Sequence, residues 1–212
     1  MAILLFSDAQ TVCEQAPKFI RGRLPVLLTV GESALATPLQ AVLDDLLIVD
    51  VQGPRLSRLN FDAVDLAIVD LSPELLLSSG GRRLIDVLGA LASDPGQGLH
   101  VGFYGPSLAV MGAFLDDGLT AGLNLIPRTV VAPDVQAVTD LRALLARMSD
   151  AGLRLLALDR PVSAHYEPLA DAMTVRGQGS VLLTAFRQNP DEQRPTARLH
   201  VVTDGMTSGW PV

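Results

Sequence analysis

Strand-length apolar runs that recur between helical patterns constrain this chain most. Leu24–Val30 (LPVLLTV), Leu46–Val51 (LLIVDV) and Asp65–Leu71 (DLAIVDL) are nearly continuous in apolar character. A strand of that kind must be covered on both faces, as in a parallel sheet flanked by helices. Ala2–Phe6, Leu99–Tyr104, Thr129–Ala132 and Leu153–Leu158 are further apolar runs of strand length, four to six residues each. Between them, Ala34–Leu47, Pro73–Leu91 and Asp134–Asp150 carry apolar residues at helical spacing. In the last of these, Val135, Val138, Leu141, Leu145 and Met148 share one face. Ser72, Pro73 and Glu74 form a helix start, which Gly80-Gly81 can interrupt.

After residue 160 the pattern changes. Met173–Arg176, Ser180–Phe186 and Arg198–Thr203 read as strands joined by turns, with a polar loop at Arg187–Pro195. The expected architecture is a three-layer α/β/α sandwich with a mostly parallel central sheet and a C-terminal antiparallel extension. No linker or repeat divides the chain, so residues 1–212 are expected to form one α/β domain.

Composition narrows the function classes. Apolar residues make up 49% of the chain and charged residues 18%, which supplies a large core. The net charge of -7 argues against nucleic acid as a partner. Cys13 is the only cysteine, so neither a disulfide framework nor a zinc cluster is expected within the chain. The apolar start is too short for a signal peptide, and no segment reaches the ~20 apolar residues of a membrane span. A cytoplasmic protein is expected, without membrane contact, cofactor or metal. Its partner would be a small ligand or peptide, and its apolar content allows a homodimer.

The segment Leu99–Gly118 (LHVGFYGPSLAVMGAFLDDG) reads as a strand, a sharp Gly-Pro turn and a helix over Pro106–Asp117. Gly118 stands at the helix stop. A strand, a corner and a helix in this order make the frame of a serine-hydrolase nucleophile elbow.

Several phrases carry the likeness further: AGLNLIPRTVVAPD at Ala121–Asp134, LALDRPVSA at Leu156–Ala164, TVRGQGSVLL at Thr174–Leu183 and RLHVVTDG at Arg198–Gly205. In order and spacing the chain resembles the cyanophycinase and aspartyl-dipeptidase family of serine peptidases. That resemblance implies a class I glutamine amidotransferase-like fold and a Ser/His/Glu site. Gap-free alignment on Val110–Gly112 places Gly105 at the serine position, where a two-residue slip would place Ser107; in the later phrases Asp134 stands at the family's histidine position and Arg160 at its acidic position. Tyr104, Pro106 and Asp159 flank these positions and are the candidate binding residues.

Acyl transfer by serine needs a nucleophile, a base and fixed oxyanion donors. Gly105 supplies no nucleophile, and Pro106 has no N–H to donate. Loss of one such donor costs about 2.7–4 kcal/mol of transition-state stabilisation. One reading is therefore a non-catalytic relative that keeps a binding cleft. The other is an active hydrolase with a rearranged site, in which Ser107 is the nucleophile and His165 or an aspartate supports it. His100 and His200 fall within strand patterns, which leaves His165 as the candidate histidine. A weaker pattern at Val64–Pro73 is similar to a receiver domain, with Asp70 as the phosphorylated residue and Glu32 as its acidic partner. Arg128 stands where that pattern needs a lysine. Asp134 also suits a helix cap, and Arg160 a surface ion pair with Asp159.

Overall fold

The computed structural model describes residues 2–93, 98–115, 120–137, 141–187 and 196–211. Val138 and the residues 116–119 and 188–195, on which parts of the expected helices and loop fall, lie outside them. The chain is mixed α/β with two sheets. Five parallel strands form the heart of the first: β1 (Ala2–Phe6), β2 (Leu24–Thr29), β3 (Leu47–Asp50), β4 (Val64–Val69) and β5 (His100–Tyr104), in the order β1-β5-β4-β2-β3. The second contains β6 (Gly112–Phe114), β7 (Ile126–Ala132) and β8 (Arg154–Asp159), parallel to one another. After β8 the chain returns to the first sheet. There β9 (Ser163–Glu167) pairs antiparallel with β1, and β10 (Ala172–Arg176) with β9. Next, β11 (Ser180–Arg187) pairs antiparallel with β8, and β12 (Thr196–Val202) with β11. Finally β13 (Thr207–Gly209) closes the first sheet beside β10.

The period-2 alternation of side chains explains how these sheets are covered. In β1, Leu4 and Phe6 face a core completed by Val12 and Ala16 at α1 (Ala9–Gln15) and its end, and by Leu39 of α2 (Ala36–Gln40). Ile3 and Leu5 face the opposite core. It is completed by Leu76 of α3 (Pro73–Leu77), Ile85 and Leu88 of α4 (Ser79–Ser93), and Leu156, Leu158 and Val181 of the second sheet. The outer face of the second sheet is covered by Leu144 and Met148 of α5 (Leu141–Asp150). The strands thus divide into two sheets sharing one core, where a single central sheet was expected. β7 and β8 are apolar on both faces and need that second layer. Each leucine fully buried in it is stabilised by about 1.5–3 kcal/mol.

Other expectations change for local reasons. No helix follows β5 over Pro106–Val110. A 3-10 turn spans Gly105–Val110, and β6 follows it. The carbonyls a helix would use are taken from outside: Val110, Met111 and Gly112 accept from the N–H groups of Leu123, Leu125 and Asn124. Gly112 also lies flat on β7, where a Cβ would meet the Thr129 carbonyl oxygen. The helical pattern Ala34–Leu47 yields only α2. The segment Asp134–Asp150 yields a 3-10 turn at Val135–Ala137 and then α5. The helix after Ser72 breaks at Ser78, whose hydroxyl donates to the Leu75 carbonyl (2.6 Å) and accepts the Gly81 N–H (3.2 Å). Ser163–Glu167, outside the expected strands, forms β9, in which Ala164 and Tyr166 alternate inward.

Candidate functional site

In an open parallel sheet, ligands bind beyond the carboxyl ends of the strands. Here that end carries Ser7 and Asp8 after β1, Asp70 after β4 and Tyr104–Ser107 after β5. Asp8 caps α1 by accepting the Thr11 N–H (2.8 Å). Ser7 joins β1 to the Val162 backbone, donating its N–H to the carbonyl (3.0 Å) while its hydroxyl accepts the Val162 N–H (2.9 Å). Asp70 accepts the Ser33 hydroxyl (2.5 Å). Tyr104 sits between these carboxylates. Burial raises the pKa of its phenol, the charges of Asp70 and Asp8 raise it further, and Arg160 opposes them.

The corner itself is Gly105, with φ of 58°. Glycine takes that left-handed conformation at no steric cost, and a Cβ here would find open space. The residue is glycine for its backbone, and Pro106 then opens the 3-10 turn. Ser107 is fully buried. Its hydroxyl donates to the Tyr104 carbonyl (2.7 Å), and its oxygen accepts the Tyr104 N–H (3.0 Å). It closes the turn on itself.

His165 is not brought to Ser107. It lies in β9 opposite Leu4, its ring 6.0 Å from that of Phe19 and 6.4 Å from that of His100. His200 bonds to the Ser208 hydroxyl (2.9 Å). Two of the three aligned family positions do meet: Arg160 Nε stands 3.7 Å from Asp134 Oδ2. Asp134 also caps its turn by accepting the Gln136 N–H (2.9 Å). Arg160 therefore pairs with Asp134 instead of the expected Asp159. That exposed pair contributes about 0–1 kcal/mol. Asp159 accepts instead from the Gln136 amide (3.2 Å) and the Ser180 hydroxyl (3.5 Å).

The sequence reading missed Asp8 and Ser33 as members of this rim. The available signal was local: an apolar strand ending in Ser-Asp announces both a strand end and a helix cap. For the receiver-like reading, Asp70 is indeed at a strand end, but its carboxylate is held by Ser33. Among the described residues, no group of three or more His, Cys, Asp or Glu side chains is placed to hold a metal ion.

No protein-family model and no curated protein matches the chain. Among solved structures, one described as a crystal structure of a peptidase from an acI-B1 Actinobacterium is similar to it, with a TM-score of 0.64. That likeness covers 99% of this chain and 96% of the other at 12% sequence identity. The chain has a peptidase-like α/β fold. Identity this low carries the fold alone.

The paired histidines set an acid limit on this fold. Burial pushes the His100 pKa down to about 4, helped by the charges of Arg21 and His165 and opposed by Asp65. Burial also lowers that of His165, against Glu167. Between about 4 and the unperturbed 6.5, the unfolded chain binds protons that the folded chain excludes, so stability falls as pH drops through that window. Both rings are half-buried, so solvent screening leaves a loss on the order of 1 kcal/mol. Urea titrations at pH 7 and pH 4.5 measure it. His100→Gln is expected to flatten the difference.

Proposed function

We propose that this chain is a non-catalytic relative of the cyanophycinase and aspartyl-dipeptidase family, with the class I glutamine amidotransferase-like arrangement. In this reading Tyr104, Pro106 and Asp159, flanking the substituted catalytic positions, bind a small ligand or peptide in the cytoplasm. The observation that carries the reading is the corner after β5. Gly105 turns the chain at the corner in a left-handed conformation, yet has no side chain, and the next residue has no N–H. The Ser107 hydroxyl, two residues on, is committed to the Tyr104 backbone. Among the described residues, the Ser107 hydroxyl has only backbone partners and no histidine or carboxylate as base. The family's aligned positions, occupied by Asp134 and Arg160, form an ion pair that leaves no imidazole to move a proton. Among the described residues no helix is long and apolar enough to cross a membrane.

The test is hydrolysis of dipeptides with an N-terminal acidic residue or a β-linkage by the pure protein. No turnover above buffer is expected. Turnover that disappears in Ser107→Ala would establish the active-hydrolase reading instead.

A further inference from the structure

The cavity between the end of α1, the β10–β11 turn and the β12–β13 turn has a volume of about 810 Å³. Gln15 and Lys18 line one wall, Arg176 to Ser180 another, and Thr203 and Asp204 a third, with Asp159 at its edge. The turn is held in place. Gly177 (φ 110°) donates its N–H to Asp204 Oδ1 (3.2 Å), and Gly179 donates to the Pro161 carbonyl (2.7 Å). Gly179 lies so close to the backbone of Asp159 and Pro161 that no Cβ fits there.

The charges in this cavity are unevenly engaged. Both oxygens of Asp159 accept hydrogen bonds, from Gln136 and Ser180, and Asp204 accepts from Gly177. Lys18, the chain's only lysine, bonds the Gln15 side-chain oxygen (2.8 Å), a neutral group. Among the described residues neither Lys18 nor Arg176 has a carboxylate at ion-pair distance. Two cations without a carboxylate at contact distance thus line one concavity together with the two hydrogen-bonded carboxylates Asp159 and Asp204, one cation a point charge and one a planar fork suited to paired oxygens. Gln178, Ser180 and Thr203 add neutral hydrogen-bonding groups around them.

We propose that this cavity binds a small polar anion through a phosphate or carboxylate group held by Lys18 and Arg176. The cavity shares Asp159 with the candidate binding residues but is not lined by Gly105, Pro106 or Ser107, and the proposal stands whether or not that corner is catalytic.

Calorimetric titration of the full chain with inorganic phosphate, and separately with succinate, tests it at ionic strength matched with sodium chloride. Saturable binding of at least one is expected. It should weaken by about tenfold or more in the Lys18→Gln/Arg176→Gln double variant and persist in Arg58→Gln, an exposed cation elsewhere. The anion that binds identifies the group recognised. Circular dichroism confirms that each variant folds, and Arg176→Lys provides a milder second variant if the double one does not. No saturable binding of either anion, or binding equal in the wild type and the folded pocket variants, overturns the proposal.

Discussion

Replacing Asp171 by Ala is expected to destabilise the protein by about 3 kcal/mol, the largest effect anticipated for a single polar side chain here. Asp171 gathers four donors from three places in the chain. Arg154 donates twice (2.6 and 3.3 Å), the Tyr166 hydroxyl once (2.8 Å) and the Trp210 indole N–H once (3.1 Å). The Arg154 guanidinium also lies over the Trp210 ring, 4.1 Å from its centre. Arg154 belongs to the second sheet and Tyr166 to the first, so this network fastens the start of β8 to the end of β9. The Asp171 side chain is 47% exposed, which would make an isolated ion pair worth little. The cost of its removal comes instead from the buried tyrosine left without a partner.

Asp171→Asn should recover part of the loss, because an amide oxygen still accepts and Asn tolerates the positive φ of 46° found there. Acid should have the same direction of effect. Burial pushes the Asp171 carboxyl up, but the bonds from Arg154 and Tyr166, the Arg154 charge and the Trp210 bond together hold it below its usual value. Its contribution is therefore present above the unfolded carboxyl pKa and lost as pH falls through the folded one. Histidine charging acts first, and protonation of Asp171 follows at lower pH. Urea unfolding of wild type, Asp171→Ala and Asp171→Asn at pH 7 measures the substitutions. Equal stability of all three would show that the network is ornamental.

Ser107→Ala should cost about 2 kcal/mol of stability, because it leaves the Tyr104 N–H without its acceptor in a buried turn. The two readings of Ser107 diverge sharply here. A catalytic serine is a site of strain, and its removal leaves stability unchanged or improved while abolishing activity. A serine that closes a turn costs stability when removed. Ser107→Thr keeps the hydroxyl but crowds a fully buried site, so it is expected to fall between the two. Thermal or urea unfolding with native-state circular dichroism distinguishes the outcomes.

How far the fold was legible follows from where its determinants lie. The apolar strands β2, β4 and β8 stand out because burial on both faces imposes a local composition. The turn at Gly105-Pro106 was equally visible, since both residues carry backbone constraints of their own. The false helix after it is instructive. Leu108, Met111, Phe114 and Leu115 have helical spacing, but the carbonyls of Val110 to Gly112 are claimed by residues more than ten positions further along. Spacing reports which side chains are apolar, not where a backbone carbonyl finds its donor. The division into two sheets was hidden for the same reason. It depends on β11 choosing β8 as its neighbour and on β9 choosing β1. Ser107 was recognisable as a hydroxyl near the corner, but only the folded turn shows that both its donor and its acceptor roles are taken. The Asp171 network joins positions 154, 166, 171 and 210, which no local pattern connects.

Intact-mass spectrometry of the pure chain after exposure to a fluorophosphonate probes the corner most directly, since the reagent reports any activated serine without a known substrate. The mass is expected to stay unmodified. Stoichiometric addition mapped to Ser107, absent from Ser107→Ala, would mean that this hydroxyl is an activated nucleophile and that the corner still performs acyl chemistry.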